Sequence, residues 1–208
     1  MKKKRKKIIV IIFHLPWDFP ADFTKQISRE LAKEMWVIAY NPFYFPTFKN
    51  LIFNRKKREK WRALFREKGI IYFPSVAIIP FQRVAIIERL NRKINFLFFR
   101  VFYFLRFGWQ KPIFWTFSCQ FAELLGQFRW REILVYDRVD QVSSLNPKEN
   151  KAIKDNDQRL LKAADYVFTN SPYALTYIKK YNKSSFLTPW GYTPELFERR
   201  KAKIPIEI

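Results

Sequence analysis

Short apolar runs alternate with stretches of helical spacing along the whole chain. The run IIVIIF (8–13) is apolar at every position, as a parallel strand buried on both faces requires. Asp22 can cap a helix in which Phe23, Ile27 and Leu31 recur every four residues, and WVIAY (36–40) follows as a second strand. The basic stretch NRKKREKWRALFREK predicts a helix with its charges in solvent, and IIYF (70–73) a third strand. Four more strands are expected at 112–117, 132–137, 166–170 and 185–189, with helices at 119–127, about 148–164 and 172–181. Ser171-Pro172 opens the last helix with serine as the cap and proline at the first helical position. Strands alternating with helices predict an α/β fold with a doubly wound, mostly parallel, Rossmann-like sheet.

One segment departs from this rhythm. VAIIERLNRKINFLFFRVFYFLRF (84–107) lacks proline and glycine and is long enough for about six helical turns. Its second half is apolar on nearly every side, interrupted by Arg100 and Arg106. Two readings fit: a core helix partly covered by its neighbours, or a helix in a membrane interface, aromatic below and basic above. Spanning fits worst, since the arginines fall inside the run.

Composition narrows the chemistry. A chain of 208 residues can build one substantial core, or one domain with a terminal extension. Its 40 Lys+Arg against 18 Asp+Glu give a formal net charge of +22, which attracts nucleic acid, anionic lipid or a polyanionic substrate. An aromatic content of 19% turns that reading toward a membrane surface. Only four glycines occur, so neither a G-x-G-x-x-G nor a P-loop is present. Single Cys119 and single His14 exclude an internal disulfide, a CxxC site and a multi-histidine metal site, and fit a reducing compartment. The N-terminus, MKKKRKKIIVIIFHLPWDF, has too short an apolar run for a signal peptide, and no small-residue cleavage site follows. No uninterrupted apolar segment reaches transmembrane length.

In doubly wound sheets ligands bind beyond the carboxyl ends of the strands. His14, Asp18, Asp137, Asp140, Asn170 and Ser171 all follow predicted strand ends and can line one crevice. The stretch ILVYDRVDQ (133–141) places two carboxylates there. They admit two readings: desolvated acids of raised pKa, or a loop cap at Asp137 with Asp140 paired to Arg138 or a nearby lysine. His14 as a neutral imidazole can orient or deprotonate a hydroxyl, or serve simply as a satisfied loop residue.

Three motifs then give a family resemblance. VYDRVDQVSS (135–144), LLKAADYVFTNSPYALTYI (160–178) and FLTPWGYTPELF (186–197) resemble, in order and spacing, the N-terminal domain of GT-B fold glycosyltransferases of the family-4-like group. HLPWDFPADFTKQISRELAKE (14–34) is similar to that group's first loop and helix. Several positions depart from the pattern. Gln141 stands where a second adjacent Asp is common, Trp190 and Thr193 replace the Asn and Asp of the closing turn, and the glycine pair after the first strand is missing.

The resemblance implies an acceptor-binding domain over 1–197, with 198–208 beginning a linker to an absent C-terminal domain that holds most of the nucleotide-sugar site. The chain would then be a fragment or one subunit of a split enzyme, inactive without that half. Asp140, then Asp137 and His14, are the expected catalytic groups. Trp17, Asp18, Asn170 and Ser171 are expected to bind the acceptor, and Pro189 and Gly191 to shape the interdomain turn. No metal and no tightly bound cofactor are expected, and a nucleotide-sugar donor would come through the missing domain. The acceptor would be a lipid-linked or polysaccharide hydroxyl of the cell envelope. Lys2, Lys3, Lys4, Arg5, Lys6 and Lys7, the 55–62 cluster, and Arg89, Arg92, Lys93, Arg100 and Arg106 would meet the anionic inner membrane face. Each contributes about 1 kcal/mol there, holding a cytoplasmic protein peripherally on the bilayer. Nucleic acid is not the expected partner of that enzyme. The competing reading is a non-enzymatic basic α/β module that binds anionic membrane or nucleic acid.

Overall fold

The apolar run at the N-terminus becomes an interior strand of a sheet. The computed structural model describes residues 6–13, 23–42, 69–73, 75–79, 84–139 and 147–188. Strand β1 (Ile8–Ile12) is buried at all five positions because strands flank it on both sides and core lies on both faces. It pairs in parallel with β2 (Trp36–Tyr40) and with β4 (Ile113–Thr116). Beyond β2 lies β3 (Ile70–Phe73), and beyond β4 come β5 (Ile133–Asp137), β6 (Tyr166–Thr169) and β7 (Ser185–Leu187). The order β3-β2-β1-β4-β5-β6-β7 is wholly parallel, as a doubly wound α/β fold demands.

Alternation along the strands divides the core into two layers. Val10, Ile12, Ile38, Tyr40, Phe114, Leu134, Tyr136 and Val167 pack on one face. They meet helix α2 (Ala85–Phe107), a 3-10 segment (Cys119–Phe128), helix α3 (Pro147–Ala163) and helix α4 (Pro172–Ile178). Aromatic rings fill this layer: Tyr40 stacks on Phe99 at 4.5 Å, and Phe114 meets Phe128 edge-on at 4.5 Å. On the other face Ile9, Ile11, Val37, Ala39 and Ile70 pack against Leu31 and Ala32 of helix α1 (Phe23–Ala32). The two covered faces make the sheet doubly wound, in agreement with the sequence pattern.

One expectation changes. The helix expected at 119–127 is a 3-10 helix over Cys119–Phe128, with the Ser118 hydroxyl accepting from the Gln120 amide at 3.3 Å. The physical reason is the spacing of its apolar residues. The buried residues fall into two rows of three-residue spacing, Cys119, Ala122 and Phe128 with half-buried Leu125, and Phe121 with Leu124, which a helix of three residues per turn stacks on adjacent sides. The segment 84–107 is a core helix on one face only. Phe96, Phe99 and Tyr103 are buried while Leu97, Val101 and Leu105 are exposed. Among the described residues no helix is long and apolar enough to cross a membrane. The cap expected at Asp22 and the helix expected over the basic stretch lie outside the described residues.

The crossover from β3 to α2 is held by two buried asparagines. Asn91 accepts from the amides of Ile78 (3.1 Å) and Ile79 (2.8 Å) and donates to the Ile79 carbonyl at 2.9 Å. One turn further along, Asn95 accepts from the Val76 amide and donates to the Val76 carbonyl, both at 2.8 Å. The pair satisfies backbone groups of Val76, Ile78 and Ile79 on either side of Ala77, much as a neighbouring strand would.

Candidate functional site

The carboxyl ends of β4, β5 and β6 form the best-supported site among the described residues. Asp137 is the last residue of β5, opposite Phe168 in the parallel register. Trp115 of β4 is opposite Val135, so Trp115, Val135 and Asp137 lie on one face of the sheet. Phe117 follows Trp115 at 6.3 Å between ring centroids, and Phe168 lies 5.8 Å from Trp115. Phe186 extends the aromatic row across β7, 5.9 Å from Phe168. The result is a carboxylate set at the edge of an aromatic floor.

This setting changes the acid. Burial pushes the Asp137 carboxyl up from the ordinary aspartate range to about 6, and the nearby Trp115 indole N–H offsets part of that. The indole geometry falls short of a full hydrogen bond, leaving Nε1 of Trp115 buried without an acceptor. Its pull on the carboxyl is therefore weak, and desolvation decides the direction.

The linkage has a definite sign. The native state holds the Asp137 proton to higher pH than the unfolded chain does, so it binds more protons between about pH 4 and pH 6. Stability contributed by this group therefore falls as pH rises through that window. Asp137→Asn is expected to remove the fall and to raise stability at pH 7 by about 2 kcal/mol relative to pH 4. Urea denaturation of both proteins at the two pH values checks it. Equal pH dependence in the two would show that Asp137 ionises normally.

What holds Asp137 in place is the residue after it. Arg138 turns to the opposite face, where its Nε donates to Asp157 Oδ1 at 3.1 Å and Oδ2 at 3.2 Å. The Tyr136 hydroxyl donates to the same Asp157 Oδ1 at 2.8 Å, and the Arg138 guanidinium lies 5.5 Å from the Tyr177 ring centroid. Arg138, Asp157 and Tyr136 are all buried. The Arg138 amide donates to the Phe168 carbonyl at 2.8 Å, extending the β5–β6 ladder past the strand end. Asp157 is thus the buried partner of Arg138, while the expected pairing of Asp140 with Arg138 or a nearby lysine falls on a residue outside the described ones.

The structure brings Asp137, Asn170 and Ser171 to the ends of adjacent strands. The Ser171 hydroxyl caps α4, accepting from the Ala174 amide at 3.3 Å, and its amide donates to the Thr169 hydroxyl at 3.4 Å. Asn170 is half-buried beside it. Asp140, His14, Trp17, Asp18, Pro189 and Gly191 lie outside the described residues, as do Lys2 to Arg5. Lys7 bonds Glu132 at 3.0 Å on the opposite, amino-terminal side of the sheet. Arg92 is turned inward between Glu88 (3.0 Å) and Glu123 (2.8 Å), whereas Arg89, Lys93 and Arg100 are exposed. Arg106 lies over the Trp36 ring at 5.9 Å.

Trp115 and Asp157 were missed from sequence. Asp157 did leave a signal: with Ile153, Leu160 and Leu161 it falls on the apolar stripe of α3, where an acid needs a buried partner. Trp115 left none, since strand register is not written in either strand alone. Burial, and next the Asp157 carboxylate, push the Cys119 thiol up to about 11, which removes it as a nucleophile at neutral pH. Among the described residues no three His, Cys, Asp or Glu side chains lie close enough to share a metal ion. No protein family and no curated protein matches the chain.

Proposed function

We propose that this chain is the acceptor-binding half of a glycosyltransferase of the GT-B type, with Asp137 and Trp115 forming its acceptor site. The observation that carries the reading is a carboxyl with a pKa of about 6 on an aromatic floor at the carboxyl edge of a parallel sheet. Aromatic faces match the apolar C–H faces of a sugar ring, and a carboxylate accepts from its hydroxyls. A base with a pKa near 6 is ionised at neutral pH and binds a proton more strongly than an ordinary aspartate. In the transfer, Asp137 takes the acceptor hydroxyl proton as that oxygen bonds to the anomeric carbon. The bond from that carbon to phosphate breaks, and its electron pair leaves with the nucleotide. Asp140, three residues further along the sequence, is the second candidate for that proton. The donor would be held by a C-terminal domain, on this polypeptide or on a partner.

Acceptor binding needs only this half, so it can be tested directly. Saturation-transfer NMR of the chain against a panel of mono- and disaccharide glycosides is expected to give at least one ligand of millimolar affinity. Trp115→Ala should abolish that signal, and Asp137→Asn should weaken it at least five-fold. A panel that gives no signal, or a signal that survives Trp115→Ala, would remove the acceptor site from this face.

A further inference from the structure

The outer surface of α2 has no covering element among the described residues, yet it is not a polar surface. Ile86 (73% exposed), Leu97, Leu90, Val101, Leu105 (85%) and Phe98 all face outward, and Trp109 (89%) follows just past the helix end. At 3.6 residues per turn these helical positions fall within an arc of about 120°. Arg89, Lys93 and Arg100 line one border of that arc. No carboxylate among the described residues pairs with any of the three. The apolar arc and its basic border run along the same face for the length of the helix.

Beside the border lies a groove of about 790 Å³ between α2, the 3-10 segment and α3. Four cationic side chains, Arg89, Arg92, Lys93 and Arg159, line it against two carboxylates, Glu123 and Asp155. Glu123 is already engaged by Arg92 at 2.8 Å and by Asn156 at 3.4 Å. Arg159 spends one nitrogen on the Ala122 carbonyl at 3.3 Å. Arg89, Lys93 and the rest of Arg159 therefore remain for an anion, while Ile86, Leu90 and Leu124 give the groove an apolar lip.

We infer that α2 docks this protein on an anionic phospholipid bilayer, with the apolar arc below the headgroups and a lipid phosphate in the groove between Arg89, Lys93 and Arg159. Charge selects this occupant over the others. A second copy would bring one basic border, and a chain of net charge +22, against another of the same sign. Nucleic acid matches the arginines but offers nothing to bury Ile86, Leu97, Val101 and Leu105. A bilayer satisfies both halves of the face, phosphate at the border and hydrocarbon under the arc. The inference stands on α2 and does not depend on the Asp137 site.

The full chain is the material for the test, co-sedimented with vesicles of phosphatidylglycerol and phosphatidylcholine in equal parts, and with phosphatidylcholine alone. Binding to the mixed vesicles is expected, with at least ten-fold weaker binding to the neutral ones. The double variant Leu97→Asp, Leu105→Asp changes only exposed positions, so circular dichroism should be unaltered while vesicle binding falls at least ten-fold. Arg89→Gln, Lys93→Gln and Arg159→Gln together should lower it by a similar factor. Binding that withstands the leucine substitutions would show that other basic residues hold the lipid, and would overturn the inference. So would release by an equal concentration of inorganic phosphate, which marks a free-phosphate site. A lipid-free dimer that dissociates in the leucine variant would assign the face to a second copy instead.

Discussion

Asp157→Ala is expected to destabilise the fold by about 4 kcal/mol, seen as a lower urea midpoint at unchanged denaturant slope. The change strands a buried guanidinium at Arg138 and deprives the Tyr136 hydroxyl of its acceptor. An unpaired buried charge carries most of the cost, since desolvation is no longer offset by the carboxylate. Asp157→Asn keeps the shape and an oxygen for Tyr136 while losing the charge, so it should cost less than the alanine. Joint replacement, Arg138→Met with Asp157→Leu, should recover most of the loss, because two matched apolar groups need no pairing. If the alanine variant costs under about 1 kcal/mol, the pair behaves as an exposed surface bridge, and the anchoring role assigned to it fails.

The second large effect is expected at Asn91. Asn91→Ala removes two accepted bonds and one donated bond from the 78–79 backbone, at a cost of about 3 kcal/mol. Hydrogen exchange gives the specific signature: the Ile78 and Ile79 amides should lose protection well before those of β1. Asn91→Asp separates the two functions of the side chain. It still accepts from both amides but sets a carboxylate against the Ile79 carbonyl, so it should fall between wild type and alanine in exchange rate. Unchanged protection in the alanine variant would mean that the crossover is held by something other than this side chain.

Much of the architecture was legible because its signals are local. The continuous burial of Ile8 to Ile12, the four-residue spacing of α1 and the Ser171-Pro172 start of α4 each follow from residues within a few positions of one another. The parallel arrangement followed from strands and helices in alternation. Long-range matching decided the rest. Trp115 joins Asp137 only because β4 and β5 pair in one register, and a shift of one residue would place them on opposite faces. Nothing within α2 itself marks the role of Asn91 and Asn95, which depends on the 75–79 segment lying along them. Asp157 was the readable case, an acid on an apolar stripe. The α2 segment shows the opposite difficulty, since a helix apolar on nearly every side does not reveal which side the core will take.

The Arg138–Asp157 bond also makes a natural joint for recombination. It fastens the end of β5 to α3 from the face away from Asp137, so the strand end keeps its position whatever sequence follows Val139. Substitutions made after that point therefore meet an acid whose position is already fixed from the other face of the sheet. The same joint is the place at which an engineer should graft.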